Sequence, residues 1–142
     1  TASSSTPAGD EAQLFVVPRD QVAFAWPEIA AHISRIKDTE WTLGDIRKAL
    51  DEGFAQAWGM RTADQVLGFW ITRIDNTYTH RYGLVWLVAG EGLDIAVPAY
   101  RAVIEPWFWS QGCEWIEING RKGWKRALPD YVERSVILRK YR

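Results

Sequence analysis

The stretch Leu84-Val85-Trp86-Leu87-Val88-Ala89-Gly90-Glu91-Gly92-Leu93-Asp94 decides the fold. Its first five residues form an unbroken apolar run, the pattern of a strand covered on both faces. The small residues of Ala89-Gly90-Glu91-Gly92 predict a turn, and the spacing beyond it predicts a helix from Leu93 to about Gln111. A second apolar run, Trp115-Ile116-Glu117-Ile118, leads into Asn119-Gly120-Arg121-Lys122-Gly123-Trp124. Strand, turn, helix and strand make a crossover unit, which places its two strands parallel. In many folds such a turn holds a phosphate on free N–H groups at a helix start. Pro106 falls inside the predicted helix, removes one backbone hydrogen bond and should kink or shorten it.

Working outward, Leu14 to Val17 is a β-rich run closed by Pro18 and predicts a first strand. Trp26-Pro27 is expected to open a helix, with Ile29, Ile33 and Ile36 as its apolar stripe. Thr42, with Asp45 three residues on, predicts the capped start of a second helix that Gly53 stops. From Phe54 the period falls to two: Gln56, Trp58 and Met60 alternate with small residues, and a turn at Thr62-Ala63-Asp64 leads to a partner strand from Val66 to Ile71. Asp75-Asn76-Thr77 predicts the next turn, and Tyr82 to Val88 a third strand of this meander. Beyond the crossover come a short helix from Gly123 to Leu128, a stop at Pro129 and a last strand from Val132 to Leu138. The order is β-α-α-β-β-β-α-β-α-β, an α/β chain with a mixed sheet. Residues 13–142 form one domain, and residues 1–12, small and polar, a disordered tail.

Composition narrows the function classes. A chain of 142 residues, 47% hydrophobic and 25% charged, suits one globular domain with a real core. A net charge of −1 predicts no bulk affinity for nucleic acid. Cys113 is single, which excludes an internal disulfide, and two histidines make a structural zinc site or a Cys-His catalyst unexpected. No signal-peptide pattern opens the sequence and no apolar run approaches the ~20 residues of a spanning helix. The expectation is a cytoplasmic chain, or one packed inside a particle assembled there, without a membrane partner.

Nine tryptophans are the unusual feature. They suit a Trp-rich core, or a surface on which another chain docks. Trp107 and Trp109 are the leading interface candidates, because helical residues two apart cannot both face one core. Trp124 joins them as a third.

The element order and the last third of the chain resemble the Gcn5-related N-acetyltransferase (GNAT) fold, over about Leu14 to Tyr141. That resemblance implies a central strand splayed from its neighbour, with acetyl-coenzyme A in the opening and its pyrophosphate on the turn before the crossover helix. Carried onto this sequence, the cofactor-binding positions are Val88, Gly90, Gly92 and Asn119. The family pattern at the turn is Gln/Arg-x-x-Gly-x-Gly/Ala. Here Gly90 and Gly92 match, the basic or amide residue is missing, and Glu91 and Asp94 bring negative charge toward a dianion. Asp94 also suits an ordinary helix cap. The family tyrosine that protonates the departing thiolate has no counterpart from Gly120 to Leu128. Tyr131 comes only after Pro129, where packing is the expected role. The basic group Arg121, Lys122, Lys125 and Arg126 suits a cofactor phosphate, a solvated face or a partner contact. Glu117 is a candidate base by residue type alone.

The Trp-rich ending WIEINGRKGWKRALPDY resembles GNAT-like proteins encoded among the head and tail genes of tailed bacteriophages. That implies a catalytically degenerate domain, with no catalytic residue and no cofactor. It would bind other virion or assembly proteins, or further copies of itself, in the host cytoplasm and then the virion. The alternative is a working acetyl-coenzyme A-dependent N-acyltransferase.

Overall fold

A five-stranded sheet in the order β1-β2-β3-β4-β5 carries the chain. Its strands are β1 (Gln13–Val17), β2 (Ala55–Arg61), β3 (Val66–Asn76), β4 (Arg81–Gly90) and β5 (Ile116–Ile118). β1 to β4 are antiparallel neighbours and β5 runs parallel to β4, as the crossover demands. The computed structural model describes residues 12–37, 39–119, 123–134 and 137–142, and only the backbone of Leu93, Asp94 and Gly123. The expected tail from residue 1 to 11 lies outside the described residues. Ala12, read as the tail's last residue, is instead buried in the core beside Leu14.

Two core layers sandwich the sheet. On one face α1 (Val22–Ile33) and α2 (Leu43–Asp51) bury Val22, Ile29, Ile33, Ile46 and Leu50 against Ala55, Ala57, Phe69, Ile71, Leu87 and Ala89. On the other, α3 (Leu93–Ala99), a π turn (Tyr100–Ile104) and α4 (Glu105–Ser110) bury Ala96, Tyr100, Ile104 and Phe108 against Trp58, Met60, Trp70 and Val85. The alternation along β2 and the continuous apolar character of β4 follow from this, since β4 feeds both layers. Trp70 is fully buried, stacked on Tyr100 with centroids 4.9 Å apart. α5 (Gly123–Ala127) brings Trp124 edge-on to the same indole at 5.7 Å.

The predicted capping box at α2 is present: Asp45 N–H donates to Thr42 Oγ1 at 3.1 Å and Thr42 N–H to Asp45 Oδ2 at 2.8 Å. Gly53, at φ +80°, follows the helix. Pro106 acts as expected, but by a specific route. The helix widens into the π turn just before it, and Pro106 sits in the first turn of α4, where a missing N–H costs least.

Two expectations are corrected. α1 begins at Val22, not at Trp26-Pro27. Pro27 lies inside it, and the carbonyl its ring leaves without a donor, that of Ala23, is on the exposed side where water can serve it. The run from Val132 to Leu138 was expected to close the sheet as a last strand. Its described residues are exposed and carry no strand, while residues 135 and 136 lie outside the description. β alternation needs a buried face to become a strand, and these side chains meet none.

Candidate functional site

The pairing of β4 with β5 is short. It covers Gly83 with Ile116, Leu84 with Glu117 and Val85 with Ile118, and stops there. β4 runs on for five more residues, paired on its other side with β3 as far as Gly90. Trp86 is the extra residue of an irregularity in that ladder, between the pairs Ile71–Leu87 and Thr72–Val85. Such a bulge bends and twists a strand. From Trp86 to Gly90 the outer edge of β4 therefore has no strand beside it among the described residues, and this unpaired stretch is the opening between β4 and β5.

The opening leads to the glycine turn. Gly90 has φ +134° and Gly92 φ +69°, backbone that L side chains rarely adopt. A Cβ on Gly90 would stand 2.2 Å from Leu67 O, and one on Gly68 would stand 1.9 Å from Ala89 O. These glycines let two strands close on each other. Glu91 N–H donates to Leu67 O at 3.1 Å and fixes the turn. Gly92 is the N-cap of α3 and has no side chain to cap it, so it satisfies none of the helix's first N–H groups. The cap suggested for Asp94 is thus Gly92 by position, and the Asp94 side chain is not among the described ones.

The other sequence candidates distribute around this opening. Val88 is half-buried, packed against the α3 layer. Asn119 directly follows β5 and is exposed, and Gly90 is exposed at the turn. Trp107 and Trp124 are half-buried against the core, Trp107 edge-on to Trp58 at 5.3 Å, whereas Trp109 keeps half its surface open. Of the basic group, Arg121 and Lys122 lie outside the described residues, and Lys125 donates to Tyr131 O at 3.0 Å. Glu117, one pair before the ladder ends, is exposed and accepts from Trp115 Nε1 at 2.8 Å. His32 bonds Glu28 O and packs on Phe69, and His80 bonds Glu114; both are structural contacts. Among the described residues no group of His, Cys, Asp and Glu could hold a metal.

Sequence reading missed a polar network at the π turn. Tyr131, placed there as a packing residue, has its hydroxyl 2.7 Å from that of buried Tyr100 and donates to Glu105. A phenol has one proton, so Tyr100 donates to Tyr131 and Tyr131 to Glu105. Arg101 reaches Glu105 one helical turn on and also binds Asp130. Burial, the neighbouring phenol and the hydrogen bond to Glu105 push the Tyr131 hydroxyl above its ordinary value, so it stays protonated. The only signal in the sequence was the opposite charge of Arg101 and Glu105 at i,i+4.

Solved structures share this architecture. An aminoglycoside acetyltransferase from an uncultured soil sample, in complex with sisomicin, matches with TM-score 0.66 at 10% identity, covering 92% of this chain and 95% of its own. A ribosomal-protein-alanine N-acetyltransferase from Brucella melitensis matches with TM-score 0.56 at 15% identity, over 92% and 99%. Glucosamine-6-phosphate N-acetyltransferase from Arabidopsis thaliana matches with TM-score 0.59 at 9% identity, over 92% and 97%. No protein-family model and no curated protein sequence matches the chain. The fold is that of the GNAT acetyltransferases.

Proposed function

We propose that the chain is an acyl-coenzyme A-dependent N-acyltransferase. One observation carries this reading: the β4–β5 ladder stops at Val85, leaving a strand edge unpaired among the described residues that runs straight into the Gly90–Gly92 turn. An extended chain bearing amides, such as pantetheine, suits such an edge, because main-chain groups of Trp86 to Gly90 can pair with it as with a strand. The first N–H groups of α3 suit its pyrophosphate. When bound, the cofactor would supply an activated acyl group. Glu117, its carboxylate held by Trp115 Nε1, would take the proton of an incoming amine. Likeness to acetyltransferases supports the same choice. Purified protein should bind acetyl-coenzyme A in a calorimetric titration and transfer acetyl to amines with saturation. No heat and no transfer at millimolar ligand would sink the proposal.

A second reading is favoured by two specific features. The single proton of Tyr131 is directed at Glu105, and the turn carries an exposed carboxylate, Glu91. Both suit a scaffold that keeps the fold without the chemistry and docks other chains, in a virion or elsewhere, through half-open Trp109. Stable self-association lost on Trp109→Ala, without any acetyl-coenzyme A binding, would favour it.

A further inference from the structure

A groove of about 400 Å³ lies at the opposite end of β4 from the opening, where α4 ends. Phe54, Ile74 and Trp107 give it an apolar lining, and Phe54 keeps two thirds of its surface open. Gln56, Arg81 and Gln111 give it polar groups.

The orientation of Gln56 is set from inside the core. Trp58 Nε1 can only donate, and it donates to Thr72 Oγ1 at 2.9 Å. The Thr72 hydroxyl, fully buried, sends its own proton on to Gln56 at 3.0 Å. The receiving atom must then be the carbonyl oxygen Oε1, so the amide NH₂ is the end turned away from the relay, without a partner among the described residues. Arg81 is anchored similarly. Its Nε donates to Gln111 O at 2.7 Å, and its two terminal nitrogens have no carboxylate partner among the described residues. The groove's one carboxylate, Asp75, is paired with Arg73 at 3.2 Å.

Two donors are thus held from behind, one of them charged, on a groove with aromatic lining. Arg73 and Asp75, which also line the groove, offset each other, so the net single positive charge matches a singly charged anion, and a fork and an amide NH₂ on one groove match the two oxygens of a carboxylate. The volume is that of a small-molecule site. We infer that this groove binds a small aryl or alkyl carboxylate, its carboxylate on Arg81 and the Gln56 amide and its apolar body against Phe54 and Trp107. The site is separate from the β4–β5 opening and does not depend on the acyltransferase reading.

The test is a calorimetric titration with phenylpropionate and with octanoate, each beside its uncharged amide. At least one acid should saturate, about tenfold or more tighter than its amide. Arg81→Gln should weaken it about tenfold. Gln56→Glu should weaken it as much while keeping an oxygen for Thr72, so that its thermal midpoint stays near that of the parent. Acetyl-coenzyme A affinity should not change in either variant. Absence of saturation by both acids, equal affinity for acid and amide, or unchanged affinity in the Gln56→Glu protein would each overturn the inference.

Discussion

Gly90 separates two explanations of the turn: a glycine kept for a ligand, or a glycine kept for the strands. Gly90→Ala places a methyl 2.2 Å from Leu67 O and 2.6 Å from Gly68 Cα, both backbone atoms that cannot rotate away. Ordinary contact needs about 1 Å more, so β3 and β4 must part locally. Holding alanine at φ +134° costs about 1–3 kcal/mol. Loss of the Glu91 N–H to Leu67 O bond adds about 1 kcal/mol. The sum is about 3 kcal/mol, before any further ladder bonds are counted. For a domain of this size that is on the order of 10 °C in thermal midpoint. Gly44→Ala is the control, because its Cβ would find nothing nearer than Thr42 Oγ1 at 3.7 Å. In a helix that exchange should gain about 0.5–1 kcal/mol. Urea and thermal unfolding of the two variants should therefore move in opposite directions. A Gly90→Ala protein within about 1 kcal/mol of the parent would refute the packing account of this glycine.

Other expectations follow from single contacts. Thr72→Val leaves the buried Trp58 Nε1 without an acceptor and should cost about 1–3 kcal/mol in urea unfolding; an unchanged midpoint would show that the relay is not formed. Tyr131→Phe takes the acceptor from Tyr100 and a donor from Glu105, at a similar cost of about 1–3 kcal/mol, yet should leave any acetyl-transfer rate within a few-fold, because that proton is committed inward. A transfer rate that collapses while the fold survives would instead make Tyr131 the proton donor. At low pH, hydrogen bonds from His80 and from the Arg81 N–H hold the Glu114 carboxyl below its ordinary 4.5, and Arg101 holds that of Asp130 below 3.8. Groups depressed in the folded state contribute stability above their unfolded values and lose it as pH falls through the folded ones. The Glu114→Gln, Asp130→Asn protein should accordingly show a shallower acid decline below about pH 4.5 than the parent, and identical acid limbs would contradict this.

What the sequence disclosed was mostly local. The capping box at Thr42, the double-sided burial of β4 and the disturbance at Pro106 each rest on neighbours within a few residues, and the structure contains all three. The crossover helix and the parallel β4–β5 pair followed from connection rules that admit few alternatives. Long-range pairings were hidden. Nothing local to Tyr131 announces that its hydroxyl lies between Tyr100 and Glu105, and nothing in Gln56 announces a relay to Trp58 through a residue 16 positions away. Val132 to Leu138 has the composition of a strand, but composition does not say whether an edge is in reach, and its described residues lie exposed. The glycine turn was legible as a turn, whereas its backbone contacts with Leu67 and Gly68 needed the paired strands in place.

The β4 edge left unpaired among the described residues is the centre of the functional account, and amide hydrogen exchange reads it residue by residue. Exchange at Trp86 to Gly90 should slow on adding acetyl-coenzyme A, with the largest change on amides that face the opening and smaller ones at Glu91 and Gly92. The protection should saturate with ligand, and Glu91→Gln should saturate at lower concentration by removing a carboxylate from the phosphate end. Exchange rates along that edge that stay the same up to millimolar acetyl-coenzyme A would contradict the account and leave the opening as a feature of the fold alone.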